Sequence, residues 1–179
     1  MSFPKLILCD LNSDLPLCWK KYFSTTPNVE IIEGNILEVK ADAIISPANS
    51  FGYMNGGVDQ AYLNKWGKQL EDRLRYHISQ LGSGGELIVG QGFALRTLDK
   101  DDTSPWLIAA PTMRIPPMDL DNTLNPYYAF RAALLVLKGL RNVTVVASPG
   151  IGTGTGRACP DMTARQMFAA YQNVVLGAP

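Results

Sequence analysis

The chain has 179 residues, of which 46% are hydrophobic and 18% charged. That is enough apolar material for one domain of ordinary size and too little charge for a disordered chain. Sixteen Lys and Arg balance sixteen Asp and Glu, so no surplus of positive charge points to nucleic acid as a partner. The single histidine, His77, and three scattered cysteines, Cys9, Cys18 and Cys159, match neither a zinc site nor a disulfide framework. They also exclude Ser-His-Asp and Cys-His chemistry unless His77 is the base, and His77 lies within a helical pattern far from the glycine-rich loops.

In chain order, the apolar residues 5–9, bounded by Pro4 and Asp10, read as a first strand. No small-residue cleavage site follows them, so they are not read as a signal peptide. Ser13 or Asp14 is placed to cap a helix to about Phe23, and residues 29–33 form a second strand. Residues 43–46 are apolar enough for a buried strand, and residues 47–57 are a loop rich in turn formers. From Val58 to about Leu81 the spacing is helical, with Ala61, Leu63, Trp66, Leu70, Leu74 and Ile78 inward and Gly82, Gly84 and Gly85 ending it.

Residues 87–95 and 106–111 read as strands joined by a polar connection, residues 97–104. A helix is expected over 126–140, a buried β-branched strand over 143–147, a second glycine loop over 148–157, and a last helix from about Asp161 to Val175. Strands alternating with helices predict one α/β domain spanning 1–179, with helices on both faces of a mostly parallel sheet. No run of about 18 apolar residues is present for a membrane span. Reduced thiols are expected, and with them a cytoplasmic location.

Two segments have the order strand, glycine-rich loop, helix. The first closes on Gly56-Gly57-Val58-Asp59; the second is Gly150-Ile151-Gly152-Thr153-Gly154-Thr155-Gly156. Glycines let backbone N–H groups approach a ligand, and the helix start that follows adds unpaired N–H groups and partial positive charge. A pair of such loops in one domain points to a diphosphate. The chain has no Gly-x-x-x-x-Gly-Lys-Ser/Thr, and its second loop departs from the Gly-x-Gly-x-x-Gly spacing of dinucleotide folds.

Residues 42–49, Asp-Ala-Ile-Ile-Ser-Pro-Ala-Asn, resemble the stretch written Asp-Ala-Ile-Val-Asn-Ala-Ala-Asn in macro domains. Glu33-Gly34-Asn35-Ile36 upstream, Gly56-Gly57-Val58-Asp59 downstream and the loop from Ser148 to Gly156 follow in that family's order and spacing. The resemblance covers roughly residues 29–175 and implies a three-layer α/β/α macro domain with a mixed, mostly parallel central sheet. It implies a monomer that binds ADP-ribose or an ADP-ribosylated protein, with no metal and no cofactor.

Residue by residue, the resemblance places Asn35 and Ile36 toward the adenine. It places Ala48, Asn49, Gly56, Gly57 and Val58 at the distal ribose and diphosphate. Gly150, Ile151, Gly152, Thr153, Gly154, Thr155 and Gly156 fall along the diphosphate. Asn49 and Asp59, ten residues apart, stand at the interval of the family's MacroD-like hydrolases, where they act as catalytic residues. The same side chains have local uses: Asn49 can hold its own loop, and Asp59 can cap the helix it begins.

Three positions depart from the family pattern. Asn35 replaces an aspartate, Ser46-Pro47 replaces Asn-Ala and so removes a polar contact from the first loop, and the second loop lacks an aromatic, with Gly156 or Arg157 in its place. Phe51 or Tyr53 could supply a ring instead, and Arg157 a charge to a phosphate. The activities implied are removal of mono-ADP-ribose from proteins or deacetylation of O-acetyl-ADP-ribose. The alternatives are a non-catalytic ADP-ribose reader or an ADP-ribose-1''-phosphate phosphatase.

Overall fold

A computed structural model describes residues 3–98 and 105–178. Six strands run β1 (Lys5–Asp10), β2 (Val29–Glu33), β3 (Ala43–Ser46), β4 (Phe93–Arg96), β5 (Trp106–Ala109) and β6 (Val145–Ser148). The helices are α1 (Asp14–Phe23), α2 (Gly57–Trp66), α3 (Lys68–Ser79), α4 (Asn125–Gly139) and α5 (Pro160–Val174), with a 3-10 turn at Ile36–Glu38. The sheet order is β2-β1-β6-β3-β5-β4. Every pairing is parallel except β4 with β5, which makes the sheet mixed.

Alternation along the strands decides the layers, because successive side chains leave opposite faces. Leu6, Leu8, Ala43, Ile45, Ile108 and Val146 face one core, closed by Trp19 of α1, Phe130 of α4 and Met167 of α5. Ile7, Cys9, Ile44, Leu107, Ala109 and Ala147 face the other, closed by Tyr62 of α2 and by Leu70, Leu74 and Ile78 of α3. The helix starts follow local chemistry. Asp14 opens α1 and Lys20 and Lys21 close it, matching the helix dipole. Proline sits in the first turn of both α4 and α5, where no N–H is needed.

The single helix expected from Val58 to Leu81 is two helices. Gly67, at φ +84°, is in the left-handed region; its N–H returns to the Leu63 carbonyl and ends α2 before α3 begins. The inner face of α2 is also rotated: Tyr62 and Asp59 are buried, whereas Leu63 and Trp66 are only partly covered. The strand expected over 87–95 shrinks to Phe93–Arg96, because residues 87–92 turn through Gly90 at φ +97°. The polar connection expected over 97–104 falls mostly outside the described residues.

Strand β3 lies between β6 and β5 and carries the first loop at its end, so its packing supports the site. Ile45 is fully buried in the larger core. Ile45→Ala should lower unfolding free energy by about 2–5 kcal/mol in a urea titration, by lost burial plus the cavity left behind.

Candidate functional site

The carboxyl ends of β1, β6 and β3 lie side by side, the place in an open α/β sheet where ligands bind. A cavity of about 610 Å³ opens there, within the range of small-molecule sites. Both glycine loops line it: Gly56, Gly57 and Val58 from the first, and Gly150, Gly152, Thr153, Gly154, Thr155 and Gly156 from the second. Asn35, Ile36, Ala48, Asn49 and Asp59 line it as well. Ile151 does not; its side chain is fully buried in the core that α1, α4 and α5 close.

The loops present unpaired donors. The second loop binds the protein chiefly through its carbonyls: Ala158 donates to the Gly152 carbonyl, Arg157 to Gly154 and Leu120 to Gly156. Among the described residues, the N–H groups of 152–156 donate to no protein acceptor, and neither do those of 57–59 at the start of α2. Buried or half-buried backbone donors left without partners are costly unless water or a ligand accepts from them. Gly57, at φ +57°, is left-handed, which lets the chain turn into α2 beside the second loop.

Charge is distributed unusually for a site that suits phosphates. The charged residues lining the cavity are Asp10 and Asp59; among the described residues no Lys, Arg or His lines it. A diphosphate there would be held by neutral N–H groups and helix-end dipoles. Asp10 is largely committed to structure, since Oδ1 accepts from Asn12 N at 2.9 Å and Oδ2 accepts from Gly150 N at 3.0 Å, tying the second loop to β1.

Asp59 lies in the first turn of α2, yet its side chain caps nothing. It is buried, at 6% exposure, and Ser46 Oγ donates to its Oδ1 at 2.5 Å. The replacement of Asn by Ser at position 46 therefore does not cost the site a polar contact; Ser46 makes one, with Asp59. Burial pushes the Asp59 carboxyl up to about 7, offset in part by the Ser46 hydrogen bond.

Asn49 serves its own loop. Its Oδ1 accepts from Phe51 N and Tyr53 N at 3.1 and 3.2 Å, and its Nδ2 donates to the Tyr53 carbonyl at 2.8 Å. It lines the cavity all the same, and one amide hydrogen remains for a ligand. Asn35 likewise caps the 3-10 turn, with Oδ1 accepting from Leu37 N at 3.0 Å.

Of the two rings considered as replacements for the missing aromatic, Tyr53 lines the cavity and Phe51 does not. Arg75 stacks on the Tyr53 ring 4.2 Å from its centroid and donates to its hydroxyl at 3.1 Å. Arg157 lies outside the lining, on a left-handed backbone at φ 53°. Cys9 does line the cavity, but burial, with Asp10 adjacent, pushes its thiol up to about 11, so it stays protonated and is no nucleophile.

Asp10, Asn12, Thr112, Met113, Pro116 and Pro117 also line the cavity, and no motif in the sequence marks them. Only the end-of-strand position of Asp10 hinted at it. Residues 112–117 reach the site because Thr112 N donates to the Ala48 carbonyl and Ser50 N to the Met113 carbonyl. No group of three His, Cys, Asp or Glu among the described residues could hold a metal ion, and no described helix is long and apolar enough to cross a membrane.

A sequence model of the macro-domain family matches residues 45–167, more than half of the chain. An uncharacterised protein of Aquifex aeolicus (strain VF5) is 33% identical over 140 residues, covering 78% of each chain. One from Pyrobaculum aerophilum is 30% identical over 149 residues, covering 82% of this chain and 75% of the relative. Among solved structures, the Oceanobacillus iheyensis macrodomain with ADP superposes at a TM-score of 0.66, 18% identical, over 81% of this chain and 75% of that one. The macrodomain of Mycobacterium tuberculosis DarG gives 0.63 at 21% identity, over 78% of this chain and 87% of that one. The structural likenesses establish the shared fold.

Two outcomes test this geometry. A Cβ on Gly156 would sit 2.6 Å from the Gly152 carbonyl oxygen, whereas one on Gly154 meets nothing within 4 Å. Gly156→Ala should therefore destabilise by about 1–3 kcal/mol, and Gly154→Ala should leave the melting temperature unchanged. The second concerns Asp59. A carboxyl with a raised native pKa costs nothing below its unfolded value of 3.8, and its cost is complete above about 7. Asp59→Asn should thus be more stable than wild type above pH 7, by up to roughly 4 kcal/mol. That difference should vanish toward pH 4 in denaturant titrations.

Proposed function

The chain belongs to the macro-domain family, and from that premise we propose that its cavity binds ADP-ribose and hydrolyses the bond between the distal ribose and an attached acyl group. Family membership supports ADP-ribose as the ligand. The observation that carries the catalytic half is Asp59: a buried carboxyl on the cavity wall, titrating near neutrality, beside loops whose free N–H groups suit a diphosphate.

In this reading the loops hold the diphosphate and so orient the distal ribose. Asp59, ionised, accepts a proton from a water as its oxygen attacks C1'' of that ribose. The C1''–O bond to the modified protein carboxyl breaks, and the carboxylate leaves. For O-acetyl-ADP-ribose the same water attacks the acetyl carbonyl, the bond from the acyl carbon to the ribose oxygen breaks, and that oxygen takes up the proton Asp59 removed from the water, giving ADP-ribose and acetate. Asn49, with one amide hydrogen to spare, contacts a ribose hydroxyl while keeping Tyr53 in place. A terminal phosphomonoester suits the cavity less well, because it would set a further dianion among two carboxyl groups with no lining cation among the described residues.

A second reading, a reader that binds without turnover, is favoured by one observation: the Asn49 side chain is largely spent on its own loop. Turnover separates the two. ADP-ribose titrated into wild type and Asp59→Asn by calorimetry should bind both within a few-fold. Release of ADP-ribose from a mono-ADP-ribosylated protein should fall by about 100-fold or more in the variant. Wild-type kcat/KM should rise about tenfold per pH unit to a plateau above about 7, where the base is ionised. Binding without release by wild type would establish the reader. Absence of ADP-ribose binding by folded protein would refute both.

A further inference from the structure

Ser46 is absent from the cavity lining, fully buried, and placed by the sheet itself. It is the last residue of β3, paired with Ala109 of β5. Counting by twos from Ile44, its side chain leaves the sheet on the α2 side, where Ile44 and Ala109 also point. Tyr62, one turn along α2 from Asp59, donates its hydroxyl to the Ile45 carbonyl at 3.1 Å. That bond locks α2 onto the end of β3 and sets Asp59 over Ser46. The result is a hydroxyl-to-carboxylate hydrogen bond of 2.5 Å in a dry environment.

We propose that Ser46 is a positioning residue for the hydrolytic reaction: its hydroxyl ties down Oδ1 of Asp59 so that Oδ2, which takes no hydrogen bond from any described residue, is presented to the attacking water at the cavity wall. This rests on the hydrolase reading given above. A carboxylate with both oxygens free would rotate about its Cβ–Cγ bond and share its charge between two directions; with one oxygen fixed, the other has a defined aim.

The same bond favours the ionised form of the carboxyl against the burial that opposes it. The other groups around Asp59 leave that role to Ser46. On α2, Tyr62 stays protonated, held well above its ordinary value by burial. From β1, Cys9 is a neutral thiol and Asp10 is bonded to Asn12 and Gly150. Glu71 of α3 turns to Met54 N and Lys68. The nearby ends of β5 and β6 carry Ala109 and Ser148, which bear no charge. Among the described residues, then, Ser46 Oγ is the hydrogen-bond donor to this carboxyl.

The test compares wild type with Ser46→Ala, a smaller side chain that the core accommodates. Three readouts are needed: the Asp59 carboxyl carbon titrated by NMR and assigned against Asp59→Asn, the pH profile of ADP-ribose release from a mono-ADP-ribosylated protein, and calorimetric Kd for ADP-ribose. The NMR midpoint and the acid limb of kcat/KM should both move up by about one pH unit. Kcat/KM at pH 7 should drop by about fivefold or more, with Kd within about twofold of wild type. An unmoved NMR midpoint would overturn the proposal whatever the activity, and so would a Kd that loosens in step with the lost kcat/KM. A wild type without turnover at any pH would overturn the hydrolase reading instead, with the NMR midpoint still deciding whether Ser46 controls Asp59.

Discussion

Strand β6 pairs with β1 on one side and β3 on the other, and the site depends on that placement. The strand comes late in the chain, yet it lies between two strands from the first 46 residues. All three run parallel, so their carboxyl ends emerge at one edge of the sheet. The loops after them, residues 11–13, 47–56 and 149–159, meet there and nowhere else. Parallel pairing needs both faces covered, and the two cores supply that cover. Asp10 reinforces the junction by taking the N–H of Gly150 from the neighbouring strand's loop. A Cβ at Gly150 would lie 2.2 Å from Leu15 Cδ2, 2.6 Å from Thr153 Oγ1 and 2.9 Å from Asp10 Oδ2, so any larger residue there would have to displace the side chains that join the two segments.

The site holds groups that work against stability. Asp59 is a buried carboxyl with one hydrogen-bond partner among the described residues, and burial opposes its ionisation. Among the described residues, the N–H groups of the buried or half-buried Val58, Asp59, Gly152, Thr153 and Gly156 have no protein acceptor. An asparagine or a longer, self-satisfied loop would relieve both costs. Unfavourable groups gathered on one cavity wall are the ordinary sign of a functional site, because their compensation comes from a ligand.

The electrostatics of the cavity follow from the same arrangement. Among the described residues no cationic side chain lines the cavity, and amide dipoles at short range take that part. Their reach is short, and selection of a ligand then rests on shape. The balanced net charge of the chain agrees with a site that recognises anions through its backbone.

Much of this was legible in the residues. Apolar runs and β-branched residues located five of six strands closely, because buried strands must be apolar on both faces. The two glycine loops stand out because few side chains tolerate the backbone they need, and all but Phe51, Ile151 and Arg157 of the candidate residues they carry line the cavity. The break at Gly67 is hidden because helical periodicity continues across it, and the short β4 because the apolar run Leu87-Ile88-Val89 reads as strand without pairing as one. What the chain alone determined, through periodicity and turn chemistry, was the alternation of elements and the two loops. What only tertiary structure decided was who meets whom: Asp10 with Gly150, Thr112 with Ala48, and Ser46 with Asp59. Those contacts depend on strand order and on which face of α2 turns inward, and both are set by packing between segments distant in sequence, which no local pattern encodes.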